Sequence, residues 1–267
     1  MVSDSHSFPR SVRIDISTVV IAVRQIRTMA DLAKPDLLLR LKGLFPSSSS
    51  VSTAQSYLQS PWYFIAAIVF ASYNSPEAIP AVFEYALSDL KAIGATEEEM
   101  LLLVRKMRDA LFKSGILVGF PKAINGLVAL LGATPENLRD EEPLRDVTLP
   151  VDEWTKQGQK YFNETYGETA EPTQKLLTSI YPDFGFFCIT HAYGYTYSFS
   201  PYISGLENSY IMLASNIAMD VPRQIEWHLK GSVRNGGTSE QVRAVREIAI
   251  EVAKAAGGFW KNEIPQL

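Results

Sequence analysis

Apolar residues along this chain recur mostly at three- and four-residue steps, the period of helices with one buried face. Residues 14–29 follow this spacing, and Pro35 interrupts what comes next. Pro46 followed by Ser47-Ser-Ser-Ser50 marks a polar loop. Residues 51–73 read as an entry segment and then a buried helix, because Trp62-Tyr-Phe-Ile-Ala-Ala-Ile-Val-Phe-Ala-Ser-Tyr73 carries no charge. Ser75-Pro76-Glu77 combines a capping serine, a first-turn proline and an acid at the positive end of the helix dipole. It predicts a helix running to about residue 92, with Gly94 as its stop. Thr96-Glu-Glu-Glu99 predicts the next start, after which Met100, Val104, Met107, Leu111 and Leu117 keep one apolar face. Helices resume over residues 151–166, 206–219, 221–234 and 239–256, with Gly236-Gly237 and Gly257-Gly258 closing the last two. Residues 171–198 are dense in aromatics; their alternation over 193–199 would suit a strand, whereas the helical neighbours favour a helix. The expected fold class is all-α.

Residues 132–150 break the pattern. Gly132-Ala-Thr-Pro135 opens a run rich in Glu, Asp, Arg and Pro that ends at Pro150, the composition of a linker between residues 1–131 and 151–267. Stretches on either side superimpose. Glu84-Tyr-Ala-Leu87 is followed by Gly94-Ala-Thr96, and Glu226-Trp-His-Leu229 by Gly236-Gly-Thr238; each glutamate precedes its threonine by 12 residues. A one-residue offset then aligns Val104-Arg105 with Val245-Arg246 and Lys113 with Lys254. Both stretches read as helix, glycine stop, threonine cap, helix, a tandem pseudo-repeat of antiparallel helix pairs. His228 stands where the first unit has Ala86, so only one half offers an imidazole there.

The segment Trp227-His-Leu-Lys-Gly-Ser-Val-Arg-Asn-Gly-Gly-Thr-Ser-Glu-Gln-Val242, continued by Arg246-Glu-Ile-Ala-Ile-Glu-Val-Ala-Lys-Ala-Ala-Gly257, resembles the carboxymuconolactone decarboxylase and alkylhydroperoxidase-D superfamily. Residues 205–260 carry most of the likeness and 76–130 a degenerate version of it. The resemblance implies an alkylhydroperoxidase-D-like helical fold and a symmetric homo-oligomer, a dimer or trimer for a tandem chain. One branch of that superfamily reduces peroxides through a Cys-x-x-Cys pair. Here the matching helices read Arg108-Asp-Ala-Leu-Phe-Lys-Ser-Gly115 and Glu247-Ile-Ala-Ile-Glu-Val-Ala253, without cysteine, which excludes thiol peroxidase chemistry. The decarboxylase branch needs no cysteine, metal or organic cofactor. It implies a cofactor-independent lyase: decarboxylation, lactone isomerisation or cyclisation of a small carboxylated or enolisable molecule.

Composition narrows the partners. The 267 residues are 46% apolar and 20% charged, ordinary for a globular chain. A net charge of −4 argues against a general nucleic-acid binder. The uncharged stretch at 62–73 falls short of the ~20 residues of a membrane span, so no membrane partner is expected. Cys188 is the single cysteine, and with only His6, His191 and His228 beside it no soft-ligand metal site is expected. Arg10 and Arg13 come without the apolar core of a secretory signal, Asp4 and Asp15 are unlike a transit peptide, and Pro265-Gln-Leu267 is not the Ser-Lys-Leu peroxisomal address. The expected location is cytoplasmic, with an organellar matrix as the alternative.

The candidate proton donor or acceptor is His228, since imidazole exchanges a proton near neutral pH. Glu207 is placed to orient it or to bind substrate. Arg108 and Lys113, charged residues in a mostly apolar helix, are candidates for binding a carboxylate. His191, Tyr195 and Trp227 are candidates for lining a pocket for a planar molecule. Each has a structural alternative: a helix contact for His228, a first-turn acid for Glu207, ion pairs for Arg108 and Lys113, and core or interface packing for the aromatics. Against the enzyme stands a second expectation, a non-catalytic oligomeric scaffold that binds a ligand or a protein.

Overall fold

The computed structural model describes residues 32–46 and 53–267. The helix expected at 14–29, the serine loop at 47–50 and the N-terminal Arg10, Arg13 and His6 lie outside the described residues. Among the described residues no strand forms, and the chain is all-α. The helices are α1 (Pro35–Leu44), α2 (Ala54–Gln59), α3 (Trp62–Ser72), α4 (Ile79–Ala92), α5 (Glu97–Val118), α6 (Phe120–Ala133), α7 (Val151–Tyr166), α8 (Ala170–Ile180) and α9 (Pro182–Phe186). A π-helix (Phe187–Tyr197) follows, and then α10 (Gly205–Ala218), α11 (Pro222–Arg234) and α12 (Ser239–Ala255).

The centre is α3. Its sequence has no polar face, and every one of its residues is buried. It packs on α4, α5, α10 and α12, while α10 packs in turn on α11, α12, α5 and α3. One core therefore joins Phe64, Leu103 and Met107 to Tyr210, Val245 and Ile248, across the two halves expected from sequence. A second, smaller core of Phe162, Tyr166, Tyr193, Tyr197 and Met212 lies between α7, the π-helix and α10.

Helix starts follow cap chemistry. Thr96 with Glu99, Ser204 with Glu207 and Thr238 with Gln241 each form a capping box, in which side chain and backbone exchange hydrogen bonds. Gly94 and Gly236 stop α4 and α11 with φ of 75° and 98°, the left-handed region that glycine enters without a Cβ clash. Ser75 differs from expectation: its side chain caps nothing, and a 3-10 turn at Pro76–Ala78 leads into α4, which begins at Ile79. Pro80 explains the later start, because its missing N–H is harmless only in a helix's first turn.

Two segments position the candidate site. The aromatic stretch is helical but wider than an α-helix, with the Ser198 N–H reaching back five residues to the Tyr193 carbonyl at 2.9 Å. It lies directly against α7 because glycines face each other's backbone: a Cβ on Gly158 would fall 1.9 Å from the Ile189 oxygen, and one on Gly194 2.3 Å from that of Trp154. The second is the expected linker. After a 3-10 turn at Glu136–Leu138 it runs without regular helix to Pro150, tied to α5 and the π-helix by Asp140 and Arg145.

Candidate functional site

Arg105, Arg108, Asp109 and Phe112 are spaced i, i+3, i+4 and i+7, which puts them on one face of α5. Facing them are residues 142–145 and the loop after the π-helix, and between lies a cavity of about 230 Å³. Arg105, Arg108 and Arg145 supply three guanidiniums to its wall, Asp109 a carboxylate, and Phe112, Phe199 and Tyr202 apolar surface. Asp140 bridges the first two arginines, accepting from Arg105 Nε at 3.0 Å and Arg108 Nη2 at 2.6 Å. Hydrogen bonding from Arg105 is the main reason its carboxyl is held below the usual range, with the Arg108 charge assisting.

Arg145 reaches furthest into the fold. It donates to Asp109 Oδ1 at 2.7 Å and to the Tyr195 and Thr196 carbonyls at 3.1 and 3.2 Å. Its guanidinium also lies 4.2 Å from the Phe199 ring centre and 4.8 Å from that of Phe112. The other Asp109 oxygen is 2.9 Å from Lys113 Nζ, one helical turn on. Lys113 is wholly buried and also donates to the Phe199 carbonyl at 2.7 Å. Burial pushes its ammonium down to about 8, against the opposing pull of Asp109. The result is a chain, Lys113–Asp109–Arg145, whose middle member faces the cavity.

Of the expected site residues the structure places Arg108 in the cavity wall; Lys113 and Tyr195 lie behind it, Lys113 through its pair with Asp109 and Tyr195 through its carbonyl bond to Arg145 and a ring contact with Trp154 at 4.6 Å. It puts the other expected site residues elsewhere. Glu207 pairs with Lys106 in the core, and its second oxygen accepts from the Ser204 N–H at 2.9 Å. His228 is buried on α11, its Nδ1 without a partner and its ring 6.1 Å from that of Tyr166. Burial pushes the imidazole down to about 4, so it is neutral at physiological pH. Trp227 lies under the Arg223 guanidinium at 4.7 Å, and His191 packs against Phe186 and Phe187. The residues not anticipated are Arg105, Asp109, Asp140 and Arg145. Asp109 adjoins the expected Arg108 and precedes Lys113 by one helical turn, the spacing of a helical ion pair; that was the available signal. Among the described residues no group of three or more His, Cys, Asp or Glu comes together as a metal site, and no helix is long and apolar enough to cross a membrane.

Peroxisomal protein 2 of Schizosaccharomyces pombe is 32% identical to this chain over 205 residues, covering 77% of this chain and 91% of the relative. The chain belongs to the peroxisomal protein 2 family. A relative of the same name from Saccharomyces cerevisiae is 27% identical over 264 residues, covering 79% of this chain and 93% of its own length. No family model and no solved structure matches. Membership of the peroxisomal protein 2 family corrects the resemblance to the carboxymuconolactone decarboxylase and alkylhydroperoxidase-D superfamily, to which nothing in these matches relates the chain. That likeness rested on a glycine stop and a threonine capping box between two helices, local devices that serve any antiparallel helix pair.

Proposed function

We propose that this chain binds a small, carboxylated, partly apolar molecule in the arginine-lined cavity and moves a proton on it without a cofactor. The supporting observation is the cavity wall itself: guanidiniums beside apolar rings, and a carboxylate backed by a buried lysine. Around it Arg105, Arg108, Arg145 and Lys113 face Asp109, Asp140 and Glu142, four cations against three carboxylates. Arg105 and Arg108 are partly exposed, and share Asp140 with an incoming carboxylate. Asp109 as carboxylate accepts the proton from substrate carbon, exchanges it with solvent and returns a proton to the same carbon, while Lys113 steadies the carboxylate between turnovers. Decarboxylation, lactone isomerisation and cyclisation each include a proton transfer to or from carbon, so all three stay within this proposal. We assign the step to Asp109 and Lys113 in preference to His228 and Glu207. Neither His228 nor Glu207 is in the wall of this cavity or of the larger polar one nearby, whereas Asp109 is in the wall of this one.

The test is solvent-proton exchange. A panel of 2-oxo and 3-oxo acids is incubated with the protein in D2O, and loss of C–H signal beside the carbonyl is followed by NMR. Exchange with the native chain is expected to disappear in Asp109→Asn and to need higher acid concentration in Arg108→Gln. Saturable binding of none of the acids, with no exchange, overturns the proposal. The non-catalytic scaffold then gains weight; its support is the exposed apolar row Phe120, Ile124, Val128 and Leu131 on α6. A homo-oligomer, dimer or trimer, is read by sedimentation velocity. We also infer that helices α3–α5 and α10–α12 are two copies of one unit, from the reciprocal packing of α3 and α10. The shared name of the relatives supports a peroxisomal rather than a cytoplasmic location, which imaging of a fluorescent fusion against a peroxisomal marker tests.

A further inference from the structure

We propose a second binding site, for an uncharged polar molecule that presents a hydrogen-bond donor beside an acceptor, an amide or a vicinal diol. It is a cavity of about 500 Å³ between α7, the loop at 198–204 and the start of α10, within the range of small-molecule pockets. Its wall differs in kind from the arginine-lined cavity. Gln157, Ser198, Ser200, Asn208 and Asn235 supply amides and hydroxyls. The charged members, Lys160 and Glu164, lie 3.8 Å apart on one helix, so the wall carries no net charge to attract an ion.

Two features set the ligand's pattern. Asn208 is wholly buried in the cavity floor, with its Nδ2 committed to the Tyr197 carbonyl and its Oδ1 without a partner. A buried carbonyl in that state is unfavourable, and a ligand N–H or O–H relieves it. One turn earlier, Gly205 and Leu206 open α10 in the same wall. The capping box engages the N–H groups of Ser204 and Glu207, and leaves those of Gly205 and Leu206, which have no acceptor within the helix, for a ligand oxygen. Acceptor and donors are therefore one helical turn apart. Charged ligands are disfavoured: a carboxylate would set its lone pairs against Asn208 Oδ1, and an ammonium would face the positive end of α10.

The experiment is an NMR titration of the 15N-labelled full chain with acetamide and with glycerol, using acetate and ammonium as charged controls. Saturable shifts are expected for the neutral probes at the Asn208 side-chain amide and the Gly205 and Leu206 N–H groups, and not for the ions. Ser200 is on the exposed rim, so Ser200→Phe fills the mouth without touching the core. It should weaken the neutral probes about tenfold or more. Asn208→Asp, which puts a charge on the floor, should do the same. Absence of saturable shifts at these groups, equal response to acetate, or an unchanged titration in Ser200→Phe overturns the proposal. None of these readouts depends on the chemistry assigned to the arginine-lined cavity.

Discussion

At the scale of single residues, the burial of His228 ties stability to pH. Its folded value of about 4 lies below the ordinary value near 6.5 because burial disfavours the imidazolium. Between those values the unfolded chain binds a proton that the folded chain does not, so stability falls as pH drops from about 6.5 to 4 and is unaffected above. The shift corresponds to about 3 kcal/mol, a substantial part of a typical margin of about 5–15 kcal/mol. His228→Gln should therefore unfold at nearly the same urea concentration at pH 7 and pH 4.5 after allowance for the remaining acids, whereas the native chain loses stability over that interval. Lys113 follows the same logic in another window. Its folded value near 8 lies below the ordinary value of 10.5, so the unfolded chain binds more protons between them and stability rises with pH over about 8 to 10. In Lys113→Met that rise should vanish, which urea melts at pH 7.5 and 9.5 measure. Both groups were visible in the sequence as polar residues on apolar faces. Which of them stands behind a cavity-facing carboxylate was not, because that depends on residues 36 and more positions away, such as Arg145 opposite Asp109.

At the scale of elements, the helices were legible wherever the 3.6-residue period and a capping box agreed, as at Thr96, Ser204 and Thr238. The π-helix was not. Tyr193, Tyr195 and Tyr197 alternate like a strand, yet backbone bonds spanning five residues wind them into a wide helix. Tertiary contact decides it: Gly158 and Gly194 let α7 approach so closely that the aromatic stretch is held by backbone as much as by side chains. Gly158→Ala puts a carbon 1.9 Å from the Ile189 oxygen, and one of the two helices must move. A loss of about 3 kcal/mol or more is expected in denaturant melts. Gly132→Ala is the control, since nothing lies within 4 Å of the added carbon. That variant should gain up to about 1 kcal/mol, the ordinary helical preference for alanine. Equal effects of the two substitutions would mean that α7 and the π-helix are not in tight backbone contact.

At the scale of the whole molecule, residues 132–150 decide whether the chain is two units on a tether or one body with a strap. The composition that suggested a linker, prolines and charges without apolar periodicity, is also that of a segment whose charges find distant partners. Here Asp140 joins Arg105 and Arg108, 35 and 32 residues back, and Arg145 joins Asp109 and the carbonyls of Tyr195 and Thr196, 50 and 51 residues ahead. Sequence patterning could not separate these cases, because local composition carries no information about pairing at such distances. Limited proteolysis does. A tether is cut rapidly whatever its side chains, whereas a strap is cut only when it opens. Arg145→Met removes the group that fastens the strap to α5 and the π-helix, and leaves Asp109, 7% exposed, with Lys113 as its remaining ion-pair partner. Losing one partner of a buried charge pair costs about 3–5 kcal/mol when the other is stranded; with Lys113 still in place, about 2 kcal/mol is expected. Cleavage within residues 139–150 should then be slow in the native chain and at least tenfold faster in Arg145→Met, a difference matched to that free energy. Arg108→Gln, which leaves Asp140 bonded to Arg105, should change the rate little. Rapid cutting of the native chain at these residues would identify the segment as a tether, and would remove the arginine-lined cavity as a built site, because Arg145 would then have no fixed place in its wall.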